Sequence, residues 1–164
     1  MRSGTKESIY EVLRGVTDPE IPVLTIEDLG VVRAVNLPVE GGVEVYITPT
    51  YSGCPAMDMI EVNIRAALQE AGFDGVRVIH ILHPPWTTDW ISEAGRRKLK
   101  AFGIAPPVGE SPDKTALFQQ APAVPCPHCG SPDTEMLSVF GSTACKAQYR
   151  CRECLEPFDY FKCH

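Results

Sequence analysis

The chain has 164 residues, 44% of them hydrophobic and 22% charged, with a formal net charge of −6. That length allows one ordinary domain plus a small module, and no apolar run is long enough to span a bilayer. The acidic balance argues against a nucleic-acid binder, which needs a basic face to neutralise phosphates. The stretch from Met1 to Glu7 lacks the apolar core of a signal peptide, so a cytoplasmic protein is expected.

Thr5 to Val16 places Ile9, Val12, Leu13 and Val16 on one helical face. Thr5 suits the N-cap and Glu7 the positive end of the helix dipole. The helix must stop near Asp18, because Pro19 disfavours helical geometry in the residue before it. Asp18 to Pro22 then reads as a stiff acidic loop. Asp18 and Glu20 are either a solvated turn or an acid pair able to assist chemistry or bind metal. Val31 to Leu37 and Val43 to Thr48 read as strands, joined through Pro38 and Gly41-Gly42; the second alternates cleanly.

A second helix begins at Cys54-Pro55, with proline at its first position and Cys54 as N-cap. Its buried stripe is Ile60, Ile64, Ala67, Leu68 and Ala71, and Gly72 ends it. Val76 to Leu82 is a third strand, and a last helix runs from about Trp90 to Ala101. Trp86 and Trp90 are either packing residues or a partner-docking edge. The order α-β-β-α-β-α predicts an α+β fold over residues 1–103: a small mixed sheet with helices on one face. Residues 104–122 are proline-rich and read as an extended linker.

Residues 123–164 carry two CxxC pairs, Cys126/Cys129 and Cys151/Cys154. An odd total of seven cysteines and no leader argue against a disulfide scaffold. A CxxC knuckle supplies two thiolates from one turn, and two knuckles complete the tetrahedron that zinc prefers. Glu135 to Phe140, Ala144 to Arg150 and a strand near Phe158 to Phe161 would make a zinc-ribbon β module. A rubredoxin-like iron centre and a redox-active pair are the alternatives. His128 is expected to face solvent. Cys145 is expected in a half-buried strand, and Cys163 and His164 at a frayed end, or with Cys145 in a second metal site. Lys146, Arg150, Arg152 and Lys162 are outnumbered by Asp133, Glu135, Glu153, Glu156 and Asp159. Four thiolates around a divalent ion add about two further negative charges, so the ribbon too is acidic.

Cys54 is the thiol of chemical interest outside the ribbon. A helix N-terminus favours its thiolate, so it reads as a buried cap residue, a nucleophile or a soft-metal ligand. A nucleophile would need a histidine, for which His80 and His83 are available.

Asp18-Pro19-Glu20, then Asp28-Leu29-Gly30, then Thr48 through Gly53-Cys54-Pro55 resemble the MIP18 (DUF59) family of iron–sulfur cluster assembly domains. Pro85 to Ser92 and the appended ribbon resemble its PaaD-type branch, which belongs to the phenylacetyl-CoA epoxidase systems of aerobic phenylacetate degradation. The resemblance implies a MIP18-like fold and a maturation factor with no catalytic activity of its own. It implies that Cys54 handles a transient Fe–S cluster, with Asp18 and Glu20 lining the site. The implied partners are the reductase component of the oxygenase system or another Fe–S client, and the Fe–S assembly machinery. One thiolate cannot hold a cluster that normally takes four cysteines, so a homodimer or a complex with the recipient would complete the ligands. A structural or regulatory subunit is the alternative, and neither nucleic acid nor membrane is expected as a partner.

Overall fold

The computed structural model describes residues 4–108 and 123–162. It divides into two compact units, one ending at Trp86 and the other beginning at Thr87.

In the first unit, α1 (Lys6–Leu13) starts where Thr5 Oγ1 accepts the Ser8 N–H at 3.3 Å. The helix ends sooner than the spacing predicts, and the next backbone groups explain why. Asp18 N–H donates to Leu24 O and Ile26 N–H donates to Val16 O. The Val16 carbonyl and the Asp18 N–H are thus taken by residues 24–26 rather than by a further helical turn. The loop between them is partly solvated, with Pro19 and Pro22 exposed, but it also feeds the core. Ile21, Leu24, Ile26 and Leu29 are buried with Ile9 and Leu13 in the core.

Strands β1 (Val32–Asn36) and β2 (Val43–Ile47) pair antiparallel, with an irregularity between Val32 and Ala34. Val43, Val45 and Ile47 point inward, as their alternation predicts. Helix α2 (Ala56–Glu70) crosses over to β3 (Val76–His80), which pairs parallel to β2. The sheet order is β1-β2-β3. Helix α1 contacts α2 and β1, and α2 contacts β3. The stripe of Ile60, Ile64 and Leu68 is fully buried, joined by Met57; each such side chain contributes about 1.5–3 kcal/mol. Ala67 and Ala71, expected in that stripe, are half-buried. Gly42 (φ +90°) lies where a Cβ would come 2.7 Å from Gly75 O, so only glycine lets the two loops meet. Trp86 is buried and donates its indole N–H to Leu29 O at 2.7 Å, the packing reading of that residue.

The second unit opens with a 3₁₀ turn at Thr88–Trp90. Helix α3 (Glu93–Ala101) follows, capped by Ser92 Oγ, which accepts the Gly95 N–H at 2.9 Å. The predicted start at Trp90 therefore shifts to Glu93, because the serine takes the capping role. Ile104–Ala105, within the stretch that composition assigns to a linker, forms strand β4. It pairs parallel with β7 (Pro157–Phe161). Strands β5 (Thr134–Ser138) and β6 (Lys146–Cys151) complete a sheet of order β4-β7-β6-β5. Its core joins Ala105 and Val124 to Ala147, Tyr149, Phe158 and Tyr160. Tyr149 stacks on Phe158 at 5.8 Å and meets Tyr160 edge-on at 5.5 Å.

Candidate metal centre and the Cys54 loop

The first knuckle is closed by Cys126 N–H to Ser131 O and Gly130 N–H to Cys126 O, both 2.9 Å. Gly130 takes φ +81°, the left-handed conformation the turn demands just past its second cysteine. The second knuckle is closed by Cys151 N–H to Glu156 O at 3.0 Å. Leu155 occupies the position equivalent to Gly130, with φ 65°. The Arg152 N–H donates to Asp133 O, and its guanidinium reaches Glu135, tying this knuckle to the start of β5.

All four ribbon sulfurs lie within 4.8 Å of one another. Cys126 and Cys154 are 3.7 Å apart, and Cys129 and Cys151 3.6 Å. Sulfurs about 2.3 Å from a tetrahedral metal stand about 3.8 Å from each other, so the donor set fits one ion. Four protein thiolates leave no open coordination position, the pattern of a structural rather than a catalytic centre. The Cys151 thiol is pulled down to about 7, first by the backbone N–H of Cys154 and then by that of Glu153. Its neighbours shift the other way, Cys154 pushed up to about 12 and Cys129 raised, as expected of thiols packed against one another, so a metal ion must displace protons from the set. Among the described residues this is the one such group of three or more ligand side chains. Cys145 is buried just ahead of β6, with its sulfur 3.0 Å from Thr143 Oγ1; Cys163 and His164 lie outside the described residues. His128 is exposed, as expected, with its Cε1 against Gly103.

In the first unit the N-cap of α2 is Pro55, not Cys54, and it makes no side-chain capping bond. Cys54 stands one residue earlier and is half-buried. Burial raises its pKa, outweighing the Ala56 N–H and the Tyr51 and Thr50 side chains that hydrogen-bond to the sulfur and favour the thiolate. The expected low-pKa thiol is thus corrected: desolvation wins over the helix end. The Glu20 carboxylate adds a smaller upward push to the thiol's pKa, so it lies within electrostatic reach of Cys54. His80, a candidate partner for a nucleophile, instead places Nε2 3.0 Å from Glu61 Oε2.

The remaining motif residues build these loops. Asp18 Oδ1 accepts the N–H groups of Glu20 and Ile21, each at 2.8 Å. Asp28 and Thr25 cap each other reciprocally, Asp28 Oδ2 accepting Thr25 N–H and Thr25 Oγ1 accepting Asp28 N–H. Gly30 takes φ 69°. Thr48, at the end of β2, is 1% exposed, and its Oγ1 has no hydrogen-bond partner among the described residues. The sequence names Thr48 as the start of the Cys54 motif, but the strand alternation puts it on the outer face and does not mark its hydroxyl as buried.

A thiol-bearing loop on one α+β unit and a closed four-thiol ribbon on the other are the two features of a metal-handling accessory protein. Residues 6–79 match the iron–sulfur cluster assembly protein family, and residues 110–162 match the PaaD zinc beta ribbon domain. The chain belongs to the MIP18 (DUF59) family of iron–sulfur cluster assembly proteins, in the branch that carries the PaaD ribbon. It is 51% identical, over 94% of its length and 91% of the relative's, to an Escherichia coli (strain K12) protein provisionally named as the D component of 1,2-phenylacetyl-CoA epoxidase. It is 38% identical to an Fe-S protein maturation auxiliary factor of Porphyromonas gingivalis, covering 58% of this chain and 90% of that one. A crystal structure of a DUF59 domain from Bacillus anthracis matches with a TM-score of 0.53 and 25% identity, covering 57% of this chain and 90% of that one.

Proposed function

We propose that this chain is a maturation factor for a phenylacetyl-CoA epoxidase system, acting on the iron–sulfur cluster of its reductase component. The observation that carries the reading is the division of thiols. Four close on one another in the ribbon, while Cys54 stands apart on the assembly-family unit, within electrostatic reach of Glu20. On this reading the ribbon ion is zinc, held by Cys126, Cys129, Cys151 and Cys154 for structure alone. The cluster is cargo. Cys54 contributes one thiolate to it, and Asp18 holds the loop that presents Glu20 at the same place. The other ligands come from the recipient or from Cys54 of a second copy, because a cluster normally takes four cysteines. Contact with iron would offset the desolvation that keeps the free thiol protonated.

Anaerobic purification followed by zinc, iron and sulfide analysis tests this. Wild type is expected to carry zinc and, after reconstitution, iron and sulfide with thiolate-to-iron charge-transfer absorbance. Cys54→Ala is expected to keep the zinc and lose the rest. Full cluster content in Cys54→Ala overturns the assignment. A second reading, a structural or regulatory subunit, is favoured by one observation: burial holds the Cys54 thiol in its neutral form. It predicts zinc alone in both proteins and unchanged reductase maturation in Cys54→Ala.

A further inference from the structure

Within the second unit, the C-terminal end of α3 and the first knuckle enclose an open cavity of about 580 Å³, lined by Arg97, Lys100, Phe102, Gly103, Pro127 and His128 among others. Arg97 and Lys100 stand one turn apart on the same helix face. No carboxylate is among the lining residues.

Among the described residues the other cations of this unit are committed. Lys146 pairs with Asp159, Arg150 with Glu135, and Arg152 with Asp133 and Glu135. Arg96 donates to the carbonyls of Thr88 and Pro107. Arg97 and Lys100 have no ion pair or hydrogen bond among the described residues. Beside them the Phe102 ring is 54% exposed, although its N–H caps the helix. The His128 wall is held close because Gly103 (φ +86°) has no Cβ; one there would lie 3.2 Å from His128 Cε1.

We propose that this cavity docks an acidic segment of a partner protein, with carboxylates on Arg97 and Lys100 and an apolar side chain on Phe102. Arg97 and Lys100, uncommitted among the described residues, put two positive charges on a chain of net charge −6, against the negative charge that four thiolates around a divalent ion bring to the adjoining knuckle. Exposed at the open side of the cavity, they orient an acidic partner toward it. The donors are long, exposed side chains around an exposed ring, which suits an extended segment. A small anion would call for converging buried donors, and two cations are few for a nucleic-acid backbone. An aromatic and an arginine at the centre of a small patch are the residue types that dominate docking energies.

The test uses the full-length, metal-loaded protein and a fluorescein-labelled peptide of glutamates flanking one phenylalanine, read by fluorescence anisotropy. Arg97→Gln/Lys100→Gln and Arg97→Glu/Lys100→Glu are expected to weaken binding by about tenfold or more. Phe102→Ala is expected to weaken it by several-fold, a loss that charge attraction alone does not produce. Lys6→Glu/Arg65→Glu, which changes net charge as much as the second double variant but on the other unit, is expected to bind as wild type. Metal content and circular dichroism confirm that each variant is folded. Undiminished binding by both double variants overturns the proposal, as does indifference to Phe102→Ala. Displacement of the peptide by millimolar inorganic phosphate at constant ionic strength overturns it in favour of a small-anion site, and absence of binding by wild type overturns it outright.

Discussion

At the scale of the residue, two positions run against local energetics. Leu155 holds φ 65° with its side chain 69% exposed. A left-handed conformation costs an L-residue about 1–2 kcal/mol, and solvent gives little back. The pseudo-equivalent Gly130 avoids that cost. Leu155→Gly is expected to stabilise the ribbon by about 0.5–1 kcal/mol after the larger unfolded-state entropy of glycine is counted. Thermal melting of the metal-loaded protein checks it. Thr48 is the second case, its buried hydroxyl without a partner among the described residues. Thr48→Val keeps the shape and removes the desolvated group, so a gain of about 1 kcal/mol is expected in denaturant unfolding. A variant that gains stability yet loses cluster handling would place the hydroxyl in the Cys54 site rather than in the core.

At the scale of the element, the periodic segments were legible and the loops were not. Helix α2 and strand β2 obey their repeats, so Ile60, Ile64, Leu68, Val43, Val45 and Ile47 are where the sequence puts them. Residues 16–31 follow neither repeat, yet supply Ile21, Leu24, Ile26 and Leu29 to the core. Their burial depends on side-chain caps from Asp18 and Asp28 and on backbone bonds across the loop, which no spacing rule announces. The four ribbon cysteines were legible because metal chemistry fixes both residue type and interval. The state of Cys54 was not, because it turns on how much water burial removes. The α2–β3 crossover offers a pH test. The Glu61 carboxyl is held below its ordinary value of 4.5, first by the hydrogen bond with His80 and then by Arg65. A lowered carboxylate pKa stabilises the fold fully above the ordinary value and loses that contribution as pH falls through the lowered one. Glu61→Gln is therefore expected to flatten the acid limb of a melting-temperature profile below about pH 5. An unchanged slope would show the pair to be inert.

At the scale of the whole molecule, the ribbon's hydrophobic core is continuous with its metal ligands, since Cys126 and Cys151 pack among Val124, Tyr149 and Phe158. Metal affinity and folding of this unit are thus one equilibrium. A strong chelator is expected to collapse the near-ultraviolet dichroism of the Tyr149 cluster, and Cys151→Ser to reproduce that loss without chelator. The helical signal of α1 and α2, which belong to a unit with its own core, is expected to persist in both. Simultaneous loss of all helical signal would contradict separate cores. Among the described residues no helix is long and apolar enough to cross a membrane.

The parallel pairing of β4 with β7 sets Ile104 beside Asp159. A growing chain presents β4 long before its partner exists, and β7 also separates β4 from β6. On the ribosome this sheet cannot close until β7 has emerged, so the pairing of β4 waits on a segment far along the chain. Truncation at Glu156 is expected to leave two orphan sheet edges and an open core, giving a ribbon cut by protease at low dose while residues up to Trp86 stay resistant. Strand β7 thus closes the unit from both sides, and a chain that lacks it leaves the apolar face of Tyr149 and Ala147 uncovered.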